Sequence, residues 1–322
     1  MNDKHFEGNS VVTVPNENEI NEKAPRPVKR IAAIHDLSCF GRCALTVVIP
    51  VLSALGYQVV PIPTALLSTH TGGFSGIHFS DLTDSMSKIS EHFEKLSLSF
   101  DAIYTGFLGS EAQIGIVEDF IRTYGKDRTV MVDPVMGDDG MLYSTYTDEL
   151  MRGMSHLCKH ADIITPNLTE ACFLTGIPYK NTAQMSDSER FEYLDNICMA
   201  LETEKKKKIV ITGICDGTDK LATYGIDPDT DSHFYHTVSR VAKNYPGTGD
   251  LFASVLLGKY MQAQDFAAST AFASNFTSKV MEYSAKFDTP TRDGVALELF
   301  LGDLTDSIKK SAKETCDGRT KA

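Results

Sequence analysis

Short runs rich in Ile, Val and Tyr recur along the chain, separated by longer stretches in which apolar residues return with helical spacing. The pattern predicts strands at 30–34, 58–62, 102–104, 129–132, 163–165, 208–212, 221–226 and 232–238. Several are apolar at consecutive positions, so both faces of the strand must be covered. With helices between most of them, the expected architecture is α/β: a doubly wound, mostly parallel central sheet flanked by helices. The last two runs follow each other across Asp227-Pro228-Asp229-Thr230-Asp231, a turn-forming sequence that predicts an antiparallel hairpin at one edge.

Polar residues and glycines collect after the predicted strands: His35-Asp36, Thr64 to Gly73, Thr105 to Ser110, Asp133-Pro134, Pro166-Asn167 and Gly213. Open parallel sheets bind ligands along the carboxyl ends of their strands. These segments, distant in sequence, are therefore expected to converge on one cleft.

Composition narrows the function classes. The chain has 322 residues, 42% apolar and 23% charged, enough to bury a large core. The expected organisation is a single domain over 28–310 between flexible polar tails at 1–27 and 311–322. Acidic residues outnumber basic ones 43 to 31, for a formal charge of −12. That balance argues against nucleic acid or anionic membranes as partners and leaves a small molecule. Any phosphate must meet a local positive potential from backbone N–H groups, a metal ion or a few lysines. Seven cysteines, an odd number without a secretory leader, fit a cytoplasmic protein with free thiols. Cys39 and Cys43 lack the spacing of a zinc knuckle.

The most chemical stretch is Asn244-Tyr245-Pro246-Gly247-Thr248-Gly249-Asp250, set where an apolar helix begins. Gly247 and Gly249 let an anion approach the backbone, and the helix start offers unpaired N–H groups. Taken alone, Asp250 reads first as a charge complementing the helix dipole, and only second as a chemical group. Asp133-Pro134-Val135-Met136-Gly137-Asp138-Asp139-Gly140 holds three carboxylates after a strand, either as turn formers or as groups for magnesium and water. Thr165-Pro166-Asn167-Leu168-Thr169-Glu170 reads as a helix cap, and equally as a pair, Asn167 and Glu170, organising a metal-bound water network. The chain carries no P-loop, no protein-kinase glycine loop, no nucleophile elbow and no dinucleotide fingerprint.

Asn-Tyr-Pro-Gly-Thr-Gly-Asp-Leu-Phe-Ala-Ser, Thr-Pro-Asn-x-x-Glu-Ala, Asp-Pro-Val-Met-Gly-Asp, Thr-Gly-Phe-Leu-Gly-Ser and Ser-Thr-His-Thr-Gly-Gly-Phe together resemble the pyridoxal kinase branch of the ribokinase-like superfamily, over about 29 to 302. The resemblance implies ATP-dependent phosphorylation of the 5′-hydroxymethyl group of pyridoxal, pyridoxine or pyridoxamine. It implies Asp250 as general base, with Gly247, Thr248 and Gly249 forming the anion hole. ATP and Mg²⁺ are the implied cofactors, with K⁺ as a further monovalent cation. Asp133, Asp138, Thr165, Asn167, Glu170, Thr212 and Gly213 then face the nucleotide, and Asp133, Asp138 and Glu170 the metal. Asp36, Ser38, His70, Thr71 and the flap residue Tyr143 face the vitamer. Relatives of this kind imply a homodimer.

One segment departs from the family pattern: His35-Asp36-Leu37 stands in place of Gln-Ser-His, and Gly41-Arg42-Cys43-Ala44-Leu45 in place of Gly-Tyr-x-Gly-Asn. A carboxylate at position 36 suits a protonated pyridine nitrogen or a ring hydroxyl, and it also resembles the first loop of hydroxymethylpyrimidine kinases. That enzyme is the alternative on the same fold. A vitamer or nucleotide sensor without turnover is the alternative of another class, opposed by the intact Asp250, Asn167 and Glu170.

Overall fold

The computed structural model describes residues 26–143, 146–202 and 205–305. Nine strands form one sheet: β1 (Arg30–Phe40), β2 (Gln58–Thr69), β3 (Phe79–Asp81), β4 (Ala102–Thr105), β5 (Thr129–Val132), β8 (Ile163–Ile164), β9 (Lys208–Cys215), β10 (Lys220–Asp227) and β11 (Ser232–Ser239). Two short strands, β6 (Gly137–Asp138) and β7 (Met141–Leu142), make a separate hairpin. The order across the sheet is β11-β10-β9-β8-β5-β4-β1-β2-β3. The six strands from β9 to β2 run parallel, while β3 and the β10–β11 hairpin are antiparallel edges.

The doubly wound sheet and its edge hairpin match the expectation from the sequence. The consecutive apolar runs have the cause proposed for them. In β1, Ile31 and Ala33 enter one core while Ala32 and Ile34 enter the other, and Val210 is flanked across the sheet by Ile209 and Ile211 in the same way. One layer contains α1 (Leu45–Ala54), α7 (Thr248–Tyr260) and α8 (Phe266–Ser284). The other contains α2 (Thr83–Lys95), α3 (Glu111–Tyr124), α4 (Asp148–Leu157), α5 (Leu168–Thr175) and α6 (Asp187–Leu201).

Several strand ends differ from the sequence reading: Thr105 and Gly213 lie inside β4 and β9 rather than after them, and two differences are larger. His35 and Asp36 do not follow β1 but lie inside it, because the strand bulges between His35 and Leu37 and continues to Phe40 beside β2. Likewise Thr64 to Thr69 belong to β2, and only His70 to Gly73 form the loop. Polar residues within a run hid these extensions, since His35, Asp36, Ser38 and Thr64 are buried inside the strands although their type favours loops. Arg26 is anchored on the domain through Ser99 and Asp101, at 2.7 and 2.8 Å. The expected tails fall mostly outside the described residues. No helix among the described residues is long and apolar enough to cross a membrane, and the cysteines there are free thiols.

Candidate active site

Most helices begin with a side chain capping their first turn: Ser110 for α3, Thr147 for α4, Asn167 for α5, Ser186 for α6 and Asp265 for α8. Helix α7 begins instead at Gly247, with φ 79° and no side-chain cap. Helix geometry leaves the N–H groups of Thr248, Gly249 and Asp250 without intrahelical partners. A Cβ on Gly247 would lie 1.9 Å from the Arg42 carbonyl oxygen, so only glycine permits this turn against the loop before α1. Nothing stands within 4 Å of a Cβ placed on Gly249, which leaves the approach to the helix start open.

Asp250 projects from this turn with its side chain 15% exposed. Its Oδ2 accepts a 2.7 Å hydrogen bond from the Ala44 N–H, and Oδ1 faces His35 Nδ1 at 3.9 Å. Burial raises its pKa to about 7; the Ala44 hydrogen bond opposes the shift and the charge of Asp36 adds to it. Ala44 itself adopts φ 48°, an unusual conformation for a residue with a side chain, and it is this that turns its N–H toward Asp250.

Across the sheet ends, Asp133 follows β5 and is buried. Burial, then the charge of Asp250, raise its pKa to about 8, against a 3.1 Å hydrogen bond from Thr165 Oγ1. Glu170 completes a reciprocal capping box with Asn167 at the start of α5. Its Oε2 accepts from the Asn167 N–H at 2.8 Å and its Oε1 from the Met136 N–H at 3.0 Å. Burial and Asp133 nevertheless push the Glu170 carboxyl well above its ordinary range. The Asn167 amide donates to the Gly137 carbonyl at 2.8 Å, tying α5 to the β6–β7 hairpin, and Asn167 also bridges to Thr212 in parallel fashion. Gly213, with φ 74°, follows in β9.

Asp138 lies on that hairpin with its surface open to solvent, while partial desolvation of the carboxyl by the surrounding protein, followed by the charge of Asp139, raises its pKa against a hydrogen bond from the Asp139 N–H. Tyr143 follows β7 and is 44% exposed. Desolvation, then the charges of Glu170, Asp138, Asp133 and Asp250, push its phenol up. No lysine or arginine among the described residues forms an ion pair with Asp133 or Glu170. A buried carboxylate pair without a basic partner suits a bound cation.

The opposite wall comes from β1, β2 and the loops after them. Asp36 is buried and accepts from Ser38 Oγ at 2.9 Å; burial raises its pKa. His70 is held between the Arg292 carbonyl, 2.6 Å from Nε2, and the Gly72 N–H, which donates to Nδ1 at 3.1 Å. Thr71 is exposed beside it, and a Cβ on Gly72 would come 3.8 Å from Pro246, so this loop borders the Gly247 turn. The expected residues thus lie mostly in or just beyond the carboxyl-terminal ends of β1, β2, β5, β8 and β9; Asp36 acts by its charge on Asp250, Asp250 acts on Asp133, and the loop at 70–73 reaches Pro246. Sequence reasoning missed the Ala44 N–H, which no side-chain pattern announces, and His35. Asp133, Asp138 and Glu170, expected to face a metal together, do not bring their ligand atoms within 4.8 Å of one another; among the described residues, the one group of three that does is Glu118, His156 and His160. It lies on α3 and at the end of α4, and Glu118 is already hydrogen-bonded to His156.

Residues 48–292 match the phosphomethylpyrimidine kinase family. The chain belongs to that family. Its pyridoxal kinase branch supplies the relatives: an Arabidopsis thaliana pyridoxal kinase is 30% identical over 238 residues, 68% of this chain and 71% of that protein. Among solved structures, a Bacteroides thetaiotaomicron protein assigned as a phosphomethylpyrimidine kinase and crystallised with pyridoxal is 41% identical. It covers 86% of this chain and 96% of that one, with a TM-score of 0.79. The pyridoxal kinase of Lactobacillus plantarum is 31% identical with a TM-score of 0.76, covering 86% of this chain and 96% of that one. The family's ribokinase-like fold and its kinase character therefore extend to this chain.

Proposed function

We propose that the enzyme transfers the γ-phosphoryl group of ATP to the 5′-hydroxymethyl group of a vitamin B6 vitamer, with Asp250 as general base. The observation that carries this reading is the Asp250 constellation. A carboxylate with a pKa of about 7 stands in the first turn of a helix whose N–H groups are uncapped. A base poised near neutrality accepts the hydroxyl proton as the oxygen attacks phosphorus, and the proton stays on Asp250 as the P–O bond to ADP breaks. The N–H groups of Thr248, Gly249 and Asp250 would stabilise charge on the transferring group, without reorganising during the step.

Asp133, Asp138 and Glu170 would hold Mg²⁺, directly or through water. When bound, the ion offsets phosphate charge and orients the β- and γ-oxygens. Both Glu170 oxygens already accept backbone N–H groups, so its remaining lone pairs suit water better than direct ligation. Thr165, Asn167, Thr212 and Gly213 line the nucleotide side, and Tyr143 covers the cleft from the hairpin. Asp36, Ser38, His70 and Thr71 receive the vitamer. Support for pyridoxal comes from the 41% identical relative crystallised with it.

Asp36 supports a second reading, phosphorylation of a hydroxymethylpyrimidine, because a protonated carboxyl there can donate to a ring nitrogen as readily as a carboxylate accepts from one. Comparing kcat/KM for pyridoxal, pyridoxamine and hydroxymethylpyrimidine separates the two. The vitamer reading predicts at least about a tenfold preference for pyridoxal over hydroxymethylpyrimidine, the discrimination a site hydrogen-bonding its own heterocycle gives with ease. The reverse preference would replace it.

A further inference from the structure

His35 is fully buried, yet neither ring nitrogen has a hydrogen-bond partner. Such a group carries a desolvation cost that nothing in the fold repays. Its surroundings are built to keep it in place. The ring packs edge-on against Tyr104, with centroids 4.3 Å apart. Gly106 leaves the space it needs, since a Cβ there would stand 2.4 Å from Nδ1. The bulge after His35 sets its orientation within β1. Burial drives its pKa to about 3, so the ring is neutral and holds one proton. The polar group facing it is Asp250 Oδ1, 3.9 Å from Nδ1.

An ionised carboxylate only accepts hydrogen bonds, so the proton of the neutral ring is favoured on the nitrogen that faces it. Hydrogen bonds to catalytic groups are often long in unliganded enzymes and tighten once substrates are bound. We propose that His35 is a positioning residue for Asp250, donating from Nδ1–H to Oδ1 in the substrate complex while Ala44 N–H holds Oδ2. The carboxylate is then fixed by two donors from different elements, β1 and the N-terminus of α1. One lone pair of Oδ1 stays free for the acceptor hydroxyl. The inference rests on Asp250 acting as the base.

The test compares His35→Phe, which keeps a packed ring without a donor, with His35→Asn, whose amide nitrogen stands near the place of Nδ1. His35→Phe is expected to lower kcat about ten- to a hundredfold, the worth of one charge-assisted hydrogen bond. The KM values for both substrates should stay within about twofold, because the loss falls on the transition state. His35→Asn should restore most of the lost kcat. In an Asp250→Asn background, His35→Phe should add no further loss, since its effect runs through the carboxylate. Wild-type kcat in His35→Phe beside an inactive Asp250→Asn would overturn the role of His35 alone. So would an equal loss in both backgrounds, or an Asn variant as slow as the Phe variant at the same melting temperature. Normal turnover in Asp250→Asn would instead remove the base and, with it, the premise.

Discussion

Asp250 is held in a largely buried place, and the like charge of Asp36 adds to the desolvation of its carboxyl. The two effects act together to hold its proton into the neutral range, where a carboxylate becomes a useful base. With Asp250 as the proposed base, its ionised form is the active one, so activity is expected above its pKa and lost as pH falls through it. The acid limb of log kcat/KM against pH should therefore bend near about 7 and fall toward unit slope below it. A limb bending near 4, the ordinary carboxylate range, would show that burial does not tune this group. Asp250 and its glycines were legible in the sequence because the Gly-Thr-Gly-Asp turn is compact. Ala44 was not, because its contribution is a backbone N–H aimed by a positive φ, and neither is encoded by side-chain type.

The elements around the site depend on how α7 begins. Gly247 combines a left-handed conformation with a close approach to Arg42, and both requirements exclude a side chain. Gly247→Ala should lower the melting temperature and reduce kcat at least about a hundredfold, the usual consequence of moving a catalytic group by about an ångström. Circular dichroism melts and steady-state kinetics check both; full activity in a folded variant would mean the turn tolerates the shift. The capping box at α5 shows why two readings of one motif need not compete. Glu170 caps its helix and faces the cleft with the same carboxylate. Strand positions were legible from apolar runs, but the lengths of β1 and β2 were not, since their far ends carry the polar residues that line the site. The β6–β7 hairpin was hidden too, being two residues per strand and held by Asn167 rather than by its own pattern.

The molecule as a whole sacrifices stability to keep this cleft acidic. Asp133 has a folded pKa of about 8 against an ordinary value of 3.8. Between those values the native state retains a proton that the unfolded chain releases. Stability from this group is therefore greatest at low pH and declines as pH rises through the window. Asp133→Asn keeps the hydrogen bond from Thr165 and removes the penalty. In the absence of divalent cations its melting temperature should exceed wild type at pH 8 by several degrees, at about 2–4 °C per kcal/mol. The difference should shrink toward pH 4, and catalysis should suffer; an unchanged or lower melting temperature at pH 8 would contradict the penalty attributed to burying this carboxylate. On the proposed reading, a chain with net charge −12 would handle a polyanion through helix N–H groups and a bound cation rather than through a basic surface.

The most direct measurement is the turnover of Asp250→Asn with ATP, Mg²⁺ and pyridoxal, following the 5′-phosphate product, alongside a thermal melt of the same preparation. The account predicts a folded protein that binds both substrates and forms product about 10² to 10⁴ times more slowly than wild type. A folded variant that phosphorylates pyridoxal at a rate close to wild type would contradict it.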